Sequence, residues 1–269
     1  FLHIANNVAE SFRNNREKLE LASLYLTKRL RVSGRVTKKE APSQISPKLL
    51  HAYIRSWSSR FLDKTNKYNR HPYTLSPKNL AFILEYAHRY NVKEYLCYIE
   101  EALEHLYHSA AFDPIDGGIF RTSDDYTFTS PSYEKTIYDN ANAAILFTNA
   151  YKYLKKRIFA EAADRIVHFL EQEMNIHKRG YITYITLNGY PSESTYYKYS
   201  LKELEEAFPT RYKAIARILG MSVNEEIETF QVISNTNKYW ELSQEEIMQL
   251  KAIRNRKKKE LLYDRRIMT

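Results

Sequence analysis

The chain has 269 residues, 43% of them hydrophobic, and a net charge of +9; that length can bury one large core or two small ones. Six glycines and eight prolines are too few for a many-stranded β architecture, which needs special turn residues every few positions, so helices are expected. The single cysteine, Cys97, excludes within this sequence a disulfide framework, a CxxC redox pair and a thiolate zinc site. It fits reducing, cytoplasmic surroundings. No apolar run approaches the roughly 18–20 residues of a membrane span, and no secretory leader is read. The sequence starts at Phe1 rather than Met, so a longer N-terminus is expected.

Helical periodicity dominates. Ile4, Val8, Phe12, Leu19, Ala22, Leu26 and Leu30 trace one face of a long first helix. Residues 32–46 form a polar connector, and a domain boundary is placed after residue 45. Ser46 and Ser76 read as N-caps, with Pro47 and Pro77 at the first helical positions. Leu50, Tyr53, Trp57 and Phe61 then mark the second helix, and Leu80, Ile83, Leu84 and Ala87 the third. Asp63–Pro77 reads as the loop between them. Further helices are expected over Lys93–Ala110, Tyr133–Lys155 and Ile158–Met174. Short connections make these antiparallel hairpins packed side by side. Near 180–199 the pattern alternates around Asn188-Gly189, a hairpin signal. Helices resume over Leu201–Phe208 and Thr210–Leu219, and Ser243 with Glu246 forms a capping box for a last helix ending around Tyr263. Cys97 is expected in the core. The basic run Lys251–Lys259 reads first as a solvated helix face and second as a nucleic-acid contact.

One stretch carries more than periodicity. From Asp113 to Ala143 the sequence is DPIDGGIFRTSDDYTFTSPSYEKTIYDNANA. Gly117-Gly118 permits a tight bend with positive φ, and Arg121 offers a planar fork to a carboxylate. Asp124 and Asp125 are acceptors for that arginine or for ligand hydroxyls. In a helix over 133–155, Glu134 lies near the positive end of the dipole and shares a face with Tyr138 and Ala141. Lys135 and Asp139 then form a neighbouring pair. Two readings stay open. Arg121, Asp125, Glu134, Tyr138 and Asp139 line a cleft with carboxylates as acid and base, or they form a buried polar network.

This stretch resembles the signature of the YyaL-type family, whose animal members are spermatogenesis-associated thioredoxin-like proteins: approximately D-x-x-GGGFxRYSxDxxWxVPHFEKMLYDNA. Gly117, Gly118, Phe120, Arg121, Ser123, Asp125, Pro131, Glu134, Lys135, Tyr138, Asp139, Asn140 and Ala141 fall close to register with it. The resemblance implies an all-α fold, an α/α-toroid of antiparallel helical hairpins of the six-hairpin glycosidase type with one small β-hairpin insertion. Residues 1–45 would be a linking helix and connector, and 46–269 the hairpin domain. The ring would be incomplete, closed by a missing portion of the protein or by a partner chain, and the family's thioredoxin-like domain is absent. The toroid is shared with carbohydrate epimerase-like enzymes, so a saccharide ligand is implied, with Glu134, Asp139 and Asp125 as catalytic candidates. Arg121, Tyr138, Asn140, Gly117, Gly118 and His71 would bind it. No metal or cofactor is expected.

The sequence departs from the family where chemistry would lie. Ser132 stands for the family's His, Phe128 for its Trp and Thr122 for its Tyr. The glycine-rich upstream motif is replaced by Asp63–Pro77, and the hairpin's acidic stretch keeps only Glu193. This erosion argues against catalysis and leaves a non-catalytic helical scaffold, an accessory module of a larger thioredoxin-like protein, as the alternative. Glu101, Glu104, His105 and His108 share a helix without a metalloprotease pattern, so capping or surface roles are expected of them.

Overall fold

The computed structural model describes residues 2–33, 46–62, 73–74, 76–125, 127–176, 180–187, 195–220, 231–232 and 241–268. The chain divides into two compact units, Phe1–Asn66 and Lys67–Thr269. The helix begun by Pro47 falls in the first. Among the described residues no helix is long and apolar enough to cross a membrane.

In the first unit, the expected long helix is two: α1 (Leu2–Asn14) and α2 (Arg16–Ser33). Asn14-Asn15 is a pair of weak helix formers. The backbone bonds Asn15 N–H to Ser11 O and Leu19 N–H to Asn15 O, both 3.0 Å, carry through the break, so the chain bends rather than turns. The apolar stripe along them is solvent-facing, with Ile4, Val8, Phe12 and Leu30 all exposed. The third helix, α3 (Pro47–Leu62), starts as its sequence directs: Leu49 N–H donates to Ser46 Oγ at 3.2 Å.

The second unit is a succession of helical hairpins. α4 (Pro77–Arg89) and α5 (Lys93–His108) are joined through Asn91, whose φ of 54° turns the chain back. α6 (Ile137–Leu154) and α7 (Arg157–Phe169) are joined through Lys155, left-handed at φ 60°. α4 also packs on α6, and a π-helical turn, Leu170–Met174, ends α7. Phe112, Phe147, Phe159, Ile166, Leu103 and Ile99 fill the space between these four helices. The mainly helical class read from the sequence is the one observed.

A second core lies under α8 (Leu201–Ala207), α9 (Tyr212–Ile218) and α10 (Gln244–Arg256), where Leu204, Ile215, Leu219, Leu250 and Ile253 meet Ile115. The Ser243–Glu246 capping box is present in both directions, Glu246 N–H to Ser243 Oγ at 3.1 Å and Ser243 N–H to Glu246 Oε2 at 2.8 Å. Ser200 and Glu203 form a second box at the start of α8.

The strands correct several expectations. β1 (Tyr73–Thr74) lies inside the expected 63–77 loop and pairs with β2 (Thr122–Ser123). Residues 133–136 are not helical: β3 (Lys135–Thr136) pairs with β4 (Tyr181–Leu187), and α6 begins only at Ile137. β4 is the centre of an antiparallel sheet in which β3 and β7 (Leu261–Met268) flank it, and β5 (Lys198–Tyr199) pairs instead with β6 (Gln231–Val232). The Asn188-Gly189 turn lies outside the described residues. β7 (Leu261–Met268) occupies what was expected to be the end of the last helix. Cys97 is exposed rather than in the core, because it lies on the outer face of α5.

Candidate functional site

The segment from Asp113 to Asn140 folds into two layers, one turned inward and one outward. In the inner layer, Gly117 and Gly118 have φ of 80° and 76°, the left-handed region that only glycine enters without strain. Space forbids a side chain as well. A Cβ on Gly117 would lie 2.5 Å from Arg165 O, and one on Gly118 2.6 Å from Phe169 Cδ1. Asp113 N–H donates to Gly118 O at 2.9 Å and Gly117 N–H to Asp113 O at 3.1 Å, closing the loop. Asn140 is fully buried on α6 and holds this loop from below. Its Oδ1 accepts from Ile119 N–H at 2.7 Å, and its Nδ2 donates to Ile119 O and Thr136 O. The two glycines and Asn140, candidates for ligand contact, therefore direct their bonding groups at the backbone.

Lys135, 1% exposed, reaches into this layer. Its Nζ donates to Asp113 Oδ2 and to Gly117 O, both at 2.7 Å, and sits 4.4 Å from the Phe169 ring centroid. Arg254, fully buried on α10, places Nη1 2.8 Å from both Asp113 oxygens and 2.9 Å from Asp116 Oδ2. Tyr196, Tyr197 and Tyr199 surround the guanidinium at 5.0–5.9 Å, within reach of cation–π attraction. Burial opposes the Asp113 carboxylate, yet Arg254 and Lys135 outweigh it and hold this carboxyl well below the usual range. Burial lowers the Lys135 ammonium, with Asp113 pulling the other way. It pushes the Tyr133, Tyr196 and Tyr199 phenols up, so none supplies a phenolate base.

Sequence reasoning missed Asp113, Asp116 and Arg254 as a unit. A signal existed: Arg254 lies four residues after Leu250, on the same face as Ile247, and a charge on an apolar helical face announces a buried partner. The basic run is only partly a solvated face: Arg256, Lys258 and Lys259 are exposed, whereas Arg254 is buried and Lys251, Lys257 and Lys258 have acidic partners. Lys251 lies 3.3 Å from Glu173. Lys257 pairs with Glu203 at 2.7 Å and donates to Lys198 O, and Lys258 pairs with Glu173 at 2.8 Å.

The outer layer holds the remaining candidates. Arg121 is half exposed, with Nη1 3.3 Å from Glu134 Oε1 and Nε 3.8 Å from Asp139 Oδ2. Its N–H donates to Glu134 O at 2.8 Å, which fixes the two strands of the loop against each other. Asp139 also forms a reciprocal N-cap with Thr136: Asp139 N–H donates to Thr136 Oγ1 at 3.0 Å, and Thr136 Oγ1 donates to Asp139 Oδ2 at 2.6 Å. Glu134 and Tyr138 do not share a helical face, because Glu134 precedes the helix. Arg121, Thr136, Tyr138 and Asp139 border a cavity of about 390 Å³ whose other wall is Thr74 and the first turn of α4, Ser76 to Asn79. Two helix N-termini, each with a partial positive charge, thus border it.

Asp125 stands apart. It accepts from Thr127 N–H at 2.9 Å, Thr129 N–H at 3.0 Å, Ser130 N–H at 2.7 Å and three hydroxyls. Burial works against the carboxylate, but the Thr127 hydroxyl and these backbone donors lower it to about 2. It organises the loop and is not free for proton transfer. Phe128 and Tyr133 adopt left-handed φ of 56° in this loop, a conformation that costs about 1 kcal/mol or more for a bulky residue. His105 contacts Thr127 O through Nε2 at 3.1 Å, and Glu104 holds Lys156 at 2.6 Å. Among the described residues no cluster of three or more His, Cys, Asp or Glu is placed to hold a metal. His71 lies outside the described residues.

No family model matches the chain. Spermatogenesis-associated protein 20 of Mus musculus is 23% identical over 103 residues, covering 36% of this chain and 13% of that protein. Its Homo sapiens counterpart is 22% identical over 103 residues with the same coverage. The chain is therefore distantly similar to part of a much longer protein, in keeping with the family that the Asp113–Ala143 segment resembles.

Proposed function

We propose that the chain is a divergent portion of a YyaL-type protein, whose hairpins belong to a six-hairpin glycosidase-like toroid, and that the cavity at Arg121 binds a small saccharide without turning it over. The observation that carries this reading is the wall of that cavity. A guanidinium, a carboxylate, hydroxyls, an amide and one exposed tyrosine ring surround about 390 Å³, the mixture and size that suit a small polyhydroxylated ligand. The case against turnover rests on the carboxylates. Glu134 and Asp139 face one shared guanidinium, so the pair lacks the contrast of environments that assigns one acid and one base. Asp125 is saturated by hydrogen bonds, and Ser132 replaces the imidazole of the family motif.

The test is a thermal-shift screen against mono- and disaccharides. A ligand present at a hundred times its dissociation constant stabilises by about 2.7 kcal/mol. That raises the midpoint of a unit this size by about 5–10 °C. Arg121→Ala and Glu134→Gln abolish the response and leave the unliganded midpoint nearly unchanged, since exposed ion pairs contribute about 0–1 kcal/mol. A folded chain that answers no saccharide sinks the proposal. The second reading, a non-catalytic scaffold of a larger thioredoxin-like protein, is favoured by the inner layer. There Gly117, Gly118, Lys135 and Asn140 serve the interior alone; a pull-down enriching one protein, with no saccharide response, would support it.

A further inference from the structure

We infer that the cleft between α7 and α10 is a separate site for a zwitterionic amino acid with an apolar side chain. The cavity measures about 820 Å³, within the range of pockets that enclose small organic ligands. The 112–117 loop, α7 and α10 build its walls, and it shares no lining residue with the cavity at Arg121.

Its chemistry is of both signs. Asp116, 6% exposed, lines the cleft and joins it to the buried network. Asp116 Oδ2 receives Arg254 Nη1 at 2.9 Å and the Tyr196 hydroxyl at 3.5 Å. Asp116 Oδ1 accepts no hydrogen bond among the described residues, and Lys251 Nζ lies 3.6 Å from it. That oxygen is an acceptor fixed in place by a fully buried arginine. Two more carboxylates line the cleft from α7: Glu161, held by Arg157 at 3.1 Å, and the exposed Asp164, which has no ion-pair partner among the described residues. Arg165 and Lys251, the latter also 3.3 Å from Glu173, supply the cations. Arg165 is set by Pro114 O and by the Tyr107 hydroxyl at 3.5 Å, and it lies over the Phe112 ring at 5.4 Å.

These groups choose between ligand classes. A simple amine would meet Lys251 and Arg165, and a simple anion would meet Asp116 and Asp164. Adjacent ammonium and carboxylate groups satisfy both pairs through charge-assisted hydrogen bonds. Ile115, Leu242, Ile247 and Tyr107 then receive an apolar side chain, and Met248, 72% exposed, stands at the mouth as an adaptable cover.

Calorimetric titration of the purified chain tests the site with L-leucine and L-phenylalanine. The controls are N-acetyl-L-phenylalanine, which lacks the ammonium, and L-phenylalaninamide, which lacks the carboxylate. The free amino acid binds at least about tenfold more tightly than either control, equivalent to about 1.4 kcal/mol. Met248→Trp blocks the mouth and abolishes binding, and Asp164→Asn weakens it; both positions are exposed, so the fold survives. No heat from either amino acid, equal binding of the blocked forms, or unchanged binding in Met248→Trp overturns the inference. Arg121→Ala leaves this binding intact, so the two sites fail separately.

Discussion

Replacing Arg254 by Met removes the buried guanidinium that ties α10 to Asp113 and Asp116 of the glycine loop. Asp113 keeps the Lys135 ammonium at 2.7 Å and the Ile115 N–H at 3.0 Å, while Asp116 keeps the Tyr196 hydroxyl at 3.5 Å and Lys251 at 3.6 Å. Met occupies much of the volume among the three tyrosines, so the loss is electrostatic rather than a cavity. Breaking one side of a buried ion pair costs about 3–5 kcal/mol, which lowers the midpoint of a unit of this size by roughly 6–20 °C. Urea unfolding at pH 7 reads this as a lower transition midpoint at constant slope. The pH dependence adds a second readout. Asp113 binds its proton more weakly in the folded chain than in the unfolded one, so unfolding takes up a proton in acid. Its contribution is complete above about pH 4 and is lost as pH falls further. With one of its two cations removed, that acid-side loss shrinks, and the gap between wild type and variant narrows below pH 4. A loss under about 1 kcal/mol at pH 7, or a gap independent of pH, refutes the keystone role of Arg254.

Gly118→Ala forces a Cβ to within 2.6 Å of Phe169 Cδ1 and 2.8 Å of Asn140 Oδ1 at φ 76°. Overpacking and left-handed strain together cost about 2–4 kcal/mol, and a thermal midpoint within a degree of wild type would contradict the packing described. Asp125→Ala removes the acceptor of three backbone N–H groups, so amide exchange quickens at Thr127, Thr129 and Ser130 while the global midpoint moves less than for Arg254→Met. In wild type that protection holds above about pH 4 and fades as pH falls through about 2. Unchanged exchange in the variant would show that the loop is organised by something else.

The helical class, the starts of α4, α5, α7 and α10 and both Ser–Pro helix starts were legible, because each rests on interactions within one turn of chain. The positive φ of Gly117 and Gly118 was legible for the same reason. What escaped depends on long-range pairing. Lys135 looked like a helical neighbour of Asp139, whereas β4 pairs residues 135–136 as a strand and Lys135 is buried. Lys251–Lys259 looked like a solvated run because no local rule announces that Asp113 and Glu173, far away in sequence, are its partners. The Tyr181–Leu187 strand was visible, but not its partner β7, since the alternation of one strand says nothing about which chain lies beside it.

The two layers of the 113–140 segment explain how a resemblance can mark ancestry better than activity. Strand pleating sends Lys135 inward while its neighbour Glu134 meets Arg121 at the surface. Interior and surface roles are thus written in adjacent residues but held by different constraints. A change at Gly117, Lys135 or Asn140 costs stability directly, because each sits in a closed set of hydrogen bonds. Thr122 and Phe128, both partly exposed, stand where the family motif has Tyr and Trp. Exchanges there leave the inner layer untouched. A chain that loses its chemistry therefore keeps the inner half of its signature longest. Thr122→Tyr with Phe128→Trp is therefore expected to leave stability, read by urea unfolding, within about 1 kcal/mol of wild type.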